Sequence, residues 1–171
     1  MKKFFLYFFC LIILFALNSV FPQLPRGVAP NFIFLFAIFY ALKKQTPDFL
    51  WIAFFGGLIL DLFSGNLFGS YTLALICICS LLAYATGTFF TADLSIEITS
   101  IFLTLGYLAF VILLFLINWL GLKSNLIGYQ ISPKIFETKV WLDLFLNLIF
   151  AVPVYYLTVF NDKILAKKAF K

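Results

Sequence analysis

The chain has 171 residues, 64 % of them apolar and only 11 % charged, with 25 phenylalanines and a net charge of +5. A soluble domain averages about 25 % charged residues, and a fold of this size has too little interior to hide so much apolar surface, so lipid must be the solvent. The basic residues gather at chain ends and short turns and form no stripe, which excludes nucleic acid as a partner.

Six apolar stretches follow one another, read as a single integral membrane domain of the all-α polytopic class with about six transmembrane helices. The first, residues 4–21, lies behind Met1-Lys2-Lys3 and has no Ala-x-Ala cleavage site, so an uncleaved anchor is expected. Pro22-Gln-Leu-Pro25-Arg26-Gly27 then breaks the helix. The second stretch, 30–42, opens on Pro30, whose missing N–H has no intrahelical partner at a helix start. Lys43 to Asp48 separates it from the third, 49–63, and Ser64-Gly65-Asn66 forms a turn into the fourth, 67–90. An acidic loop, 91–97, leads to the fifth, 98–120, where Asp93 and Glu97 with Ser95 suit a helix start. A polar connection, Gly121 to Thr138, precedes the sixth, 139–160, which carries Pro153 and ends in a lysine-rich tail. The second and third stretches reach only about 20–25 Å, against a hydrocarbon core of about 30 Å. Short segments of this kind are tolerated where protein surrounds them, so both are expected to pack against neighbouring helices.

Cation placement sets the orientation. With the N-terminus inside, Lys2, Lys3, Lys43, Lys44, Lys163, Lys167, Lys168 and Lys171 lie on the cytoplasmic side, and Arg26, Lys123, Lys134 and Lys139 on the other. Eight against four places both termini in the cytoplasm. Trp119 and Trp141 then flank the same outer boundary, as interfacial aromatics do.

Gly57, Asp61, Gly65 and Gly69 recur every four residues, a step that returns to nearly the same helix face. They make a small-residue stripe carrying one carboxylate, which costs at least ~2.5 kcal/mol at the centre of a membrane helix. Small residues at this spacing let helix backbones approach closely in lipid, so the face of Ala53, Gly57 and Asp61 is expected to pack tightly on another helix, with Ala37 and Ala41 a weaker pair. Asp61 falls in the last turn of its helix, where the dipole already favours cations. It needs a partner, and the candidates are Arg26, Lys134, Lys139 or backbone N–H groups freed at Gly65 and Asn66. It either pins that turn or binds a ligand or partner.

Lys139, Asp143 and Asn147 form a second polar stripe, and the last two are candidate pocket residues. Lys139 and Asp143 can pair at i,i+4, though in the less favourable order. Asp61 and Asp143 together raise an intramembrane aspartyl protease, but nothing around either resembles such motifs. Cys10, Cys77 and Cys79 lie in apolar runs, without Cys-x-x-Cys spacing and in a chain without histidine, which argues against a disulfide framework or a zinc site. Neither a nucleophile arrangement nor a phosphate-cradling loop is present. An enzyme, a metal and a cofactor are therefore not expected.

Pro30-Asn-Phe-Ile-Phe-Leu, the Lys-Lys break and Gly57-Leu-Ile-Leu-Asp61-Leu-Phe-Ser-Gly65-Asn-Leu-Phe-Gly69 resemble the rod shape-determining protein MreD family, in which a Pro-led second segment and a Gly-Leu-x-x-Asp-x-x-x-Gly-x-x-x-Gly phrase are typical. Pro30, Gly57, Asp61, Gly65 and Gly69 carry the resemblance, and Asn31 replaces the Asp often found after the proline. The resemblance implies a subunit of the bacterial elongation machinery for peptidoglycan synthesis, in the inner membrane. Its implied partners are a bitopic MreC-like protein and, through it, MreB, RodA and the elongation transpeptidase. It also implies a fold similar to the substrate-binding subunits of energy-coupling-factor transporters, which supplies the alternative of a small-solute-binding subunit. Those subunits commonly carry Ala-x-x-x-Ala in the first helix; here Ala37 and Ala41 sit in the second. The expected role is a non-catalytic scaffold whose small-residue face seats a partner's transmembrane helix, with Asp61 shaping an outward pocket or turn.

Overall fold

In the computed structural model, residues 2–20, 29–43, 48–64, 67–89, 96–123 and 133–169 are described. They form six helices and, among the described residues, no strand: α1 (Lys2–Val20), α2 (Phe32–Leu42), α3 (Asp48–Ser64), α4 (Ser70–Phe89), α5 (Ile96–Lys123) and α6 (Pro133–Ala169). Their order follows the six apolar stretches. Stretches within α4, α5 and α6 (Ser70–Thr88, Ile98–Gly121 and Val140–Asn161) are long and apolar enough to cross a membrane.

The centre of the bundle is α2. Its eleven residues, Phe-Ile-Phe-Leu-Phe-Ala-Ile-Phe-Tyr-Ala-Leu, are all buried. A helix that is apolar all round belongs in an interior, and α2 is in contact with each of the other five helices. At about 16 Å it reaches roughly half the hydrocarbon thickness, so it is a core element, not a rod exposed to lipid. Aromatic contacts key it to α5 and α6. Phe34 meets Tyr107 at 5.5 Å and Phe110 at 4.8 Å between ring centroids, and Phe32 meets Phe150 at 5.2 Å. Ala37 and Ala41 are buried within this packing.

Glycine sets how closely α3 approaches its neighbours. A Cβ on Gly57 would overlap the Cα of Thr72 in α4, a backbone atom that cannot step aside. One on Gly56 would come within 2.6 Å of the Ile33 side chain in α2. Together with Ala53, these residues seat α3 on α4 and α2. At the far end of α3 the Tyr7 hydroxyl donates to Asp48 at 3.1 Å, tying α1 to α3, and the Asn161 amide meets the Cys10 sulfur at 3.1 Å, tying α6 to α1.

Three helix starts differ from expectation. Pro30 is not the first helical residue of α2, which begins at Phe32 with Asn31 as its N-cap. The fourth helix begins at Ser70, not 67, because residues 67–69 form a turn in which the Ser70 N–H bonds to the Leu67 carbonyl. Gly69 closes that turn at φ +93, a conformation L side chains rarely adopt. The sixth helix begins at Pro133, where a missing N–H goes unmissed, and runs through Pro153 into what the sequence presents as a tail.

Candidate functional site

Two buried polar junctions stand where helices end, with a cavity between them. The first is built around Asp61, only 4 % exposed. The first N–H groups of α4 have no intrahelical acceptors, and an N-cap side chain would normally accept one of them. Gly69, immediately before Ser70, has no side chain to offer. Asp61 serves from the neighbouring helix instead. Its Oδ1 accepts from the Tyr71 N–H at 2.8 Å, and its Oδ2 from the Thr72 N–H at 3.0 Å and the Thr72 hydroxyl at 2.6 Å. The Ser70 hydroxyl stands 3.5 Å from Oδ1. The carboxylate sits unfavourably at the end of its own helix but favourably at the positive end of α4. Gly57, one turn earlier, allows the approach that brings the two within reach.

The second junction holds the chain entering α2. The Ala29 N–H donates to Asp143 at 3.0 Å, the Asn31 N–H to Asn147 Oδ1 at 2.8 Å and the Phe32 N–H to Asn18 at 3.1 Å, while the Asn31 side chain accepts from the Phe34 N–H at 3.0 Å. Pro30 has no N–H to satisfy. Each remaining N–H from Ala29 to Phe32 thus has a side-chain acceptor. The spacing explains the match: two residues of extended chain advance about 6.6 Å, and four residues of helix rise about 6 Å, so Asp143 and Asn147 meet alternate N–H groups. Asn147 is fully buried, and its Nδ2 has no hydrogen-bond partner among the described residues.

Between these junctions lies a cavity of about 460 Å³, beyond the N-terminal end of α2. Aromatic residues from α1, α3, α4 and α5 wall it: Phe15, Phe63, Tyr71, Tyr107 and Phe110. Asn18, Asn31, Ser64 and Asp143 supply its polar rim. Ala29, Pro30 and Asn31, which lead into α2, line the cavity on the side of that helix.

The structure brings Asp61, Gly57 and Gly69 together at the α3–α4 junction, and Pro30, Asp143 and Asn147 at the α2 entrance. Gly65, Asn66, Arg26, the turn 22–27, Asp93 and Ser95 lie outside the described residues, as do the side chains of Glu97, Lys134 and Lys139. The N–H groups that Asp61 meets are those of Tyr71 and Thr72, and the close neighbour of the Gly57 face is α4 of the same chain. Sequence reasoning missed Asn18, Asn31, Ser70 and Thr72 as functional positions. Asn18 carried a usable signal, an amide inside an apolar run; Thr72 carried none.

These features define a helical membrane protein in which Asp61, Asp143 and Asn147 tie the starts of two helices to their neighbours. The model of the rod shape-determining protein MreD family matches residues 2–160, and the chain belongs to that family. Rod-shape determination is accordingly its role. No curated protein and no solved structure matched the chain.

Proposed function

We propose that the chain is a non-catalytic, multi-pass scaffold of the bacterial elongation complex in the cytoplasmic membrane. In this reading both termini are cytoplasmic and the chain binds an MreC-like bitopic protein, through which it joins MreB, RodA and the elongation transpeptidase. One observation carries the non-catalytic part. Asp61 and Asp143, the two acids that could have formed a reactive pair, are held to different backbone donors, at Tyr71 and Thr72 and at Ala29. Membership of the MreD family supports the role in cell shape. Because α4 already fills the Gly57 face, the partner's helix docks on the outer surface, where Leu105, Trp119, Phe145 and Tyr156 are exposed.

Photo-crosslinking residues placed at those four positions test this in cells. An MreC-like protein captured from the positions on α5, on α6 or on both is the expected result. If all four positions capture only lipid, and the unmodified chain fails to co-purify with that protein from native membranes, the scaffold reading is wrong. The alternative, a small-solute-binding subunit of an energy-coupling-factor-type transporter, has no support: the family matched is that of a rod shape-determining protein.

A further inference from the structure

We propose that the cavity beyond the start of α2 binds an apolar molecule by its neutral ester carbonyl, to which Tyr107, Asn31 and Asn18 offer hydrogen-bond donors. The volume, about 460 Å³, lies within the range of small-molecule sites, which combine mostly apolar walls with a few placed polar groups. Tyr107 is the first of those groups. Its side chain lines the cavity and is only 5 % exposed, and its hydroxyl makes no hydrogen bond among the described residues. A hydroxyl so deeply buried without a partner forfeits a hydrogen bond it would make in water. An acceptor entering the cavity restores it.

The two amides on the rim point to the same chemistry. Asn18 Oδ1 accepts from the Phe32 N–H at 3.1 Å, and Asn31 Oδ1 from the Phe34 N–H at 3.0 Å. Those backbone donors fix which atom of each amide is the oxygen, so what each has left to offer is its NH₂ group, a donor. Neither NH₂ group has a partner among the described residues. A ligand that meets these donors must bring acceptors. No Lys or Arg stands among the described lining residues, so a neutral oxygen suits the site better than an anion. Asp143 is engaged with the Ala29 N–H, and the recognition makes no use of its charge. The rest of the wall is apolar, with Phe15 and Phe63 paired at 4.4 Å and Tyr71 and Phe110 at 6.0 Å. Phe63 is also 69 % exposed on the outer surface, so in a bilayer acyl chains border the cavity. An ester joined to such a chain combines the acceptor with the apolar body. Two sources supply that chemistry: an acyl ester of a membrane lipid, or a free neutral ester.

The test uses the full chain in nanodiscs of an ether-linked phosphatidylglycerol, which has no ester carbonyl. Methyl laurate is the probe, tridecane its oxygen-free counterpart, and empty nanodiscs the background; retained ligand is read by mass spectrometry. The ester is expected to bind about fivefold or more tightly than the alkane, as one or two neutral hydrogen bonds allow. Its carbonyl stretch should fall in frequency on binding, as hydrogen bonding to the oxygen requires. Tyr107→Phe keeps the ring and removes the hydroxyl, and should weaken the ester about threefold to tenfold while leaving the alkane unchanged. Asn31→Asp keeps an oxygen for the Phe34 N–H and removes the NH₂ group; it should also weaken the ester selectively, and it decides the matter should Tyr107→Phe fail to fold. Equal binding of ester and alkane, an unshifted carbonyl stretch, or variants that bind the ester as the parent does overturn the proposal. Repeating the titration in ester-linked phosphatidylglycerol nanodiscs separates the sources: lost probe binding identifies the membrane lipid, and undiminished binding a free ester. Partner crosslinking is a separate readout, so this inference and the scaffold reading fail independently.

Discussion

Asp61 accepts hydrogen bonds from two backbone N–H groups and the Thr72 hydroxyl while almost fully buried. Replacing it by alanine leaves those donors unmatched in an apolar setting, at a cost of about 1–3 kcal/mol for each unsatisfied group. Asp61→Ala should therefore lower thermal stability markedly in detergent. Asp61→Asn, which keeps one acceptor oxygen, should lower it by less. A ligand-binding carboxylate with no structural duty would instead leave the unfolding temperature unchanged in both. The glycines make a graded set. Gly57→Ala meets the Thr72 backbone and should cost about 1–3 kcal/mol, as overpacking does. Gly56→Ala meets side chains rather than backbone, the Ile33 Cγ2 methyl at 2.6 Å and Leu11 at 3.4 Å, and should cost less than Gly57→Ala, whereas Gly87→Ala, with nothing within 4 Å, should be neutral or gain up to about 1 kcal/mol from helix propensity. Unfolding curves of the three variants test that order, and a Gly57→Ala protein as stable as the parent would refute the close approach.

At the scale of elements, α2 depends on its neighbours. Eleven residues are too few for a helix to be stable alone in water, and most of α2's stability comes from burial and from the side chains that hold its entrance. Asn147→Leu removes the acceptor of the Asn31 N–H and should speed hydrogen exchange at that amide by tenfold or more, since about 1.4 kcal/mol corresponds to a factor of ten. The Thr72 amide, at the other junction, should be unaffected. Equal protection at Asn31 in parent and variant would mean that Asn147 does not hold the entrance. The third helix was legible in outline. The Ala53, Gly57 and Asp61 face pointed to tight packing because small residues at four-residue spacing form a local pattern. Its neighbour was not legible, because the need for an acceptor arises only where Gly69 turns the chain and strips α4 of a cap of its own.

For the whole molecule, α2 organises the architecture: a short helix buried along its whole length is packed against the other five. Topology is open to a direct test. Cysteine tags at positions 2 and 171 should both react with an impermeant reagent only from the cytoplasmic side, in agreement with the cation count. Labelling of the two tags from opposite sides would show an odd number of crossings.

Composition alone determined the solvent: 64 % apolar residues in 171 cannot be buried without lipid. Local periodicity and turn chemistry determined the order of the six helices and marked Asp61 as exceptional, because such signals involve residues within a few turns of one another. Tertiary structure alone decided what the polar residues meet. Asp143 holds Ala29 across 114 positions and Asn147 holds Asn31 across 116. No local pattern encodes such pairs, since an acceptor on α6 acquires its donor only once α2 has been enclosed by the other five helices.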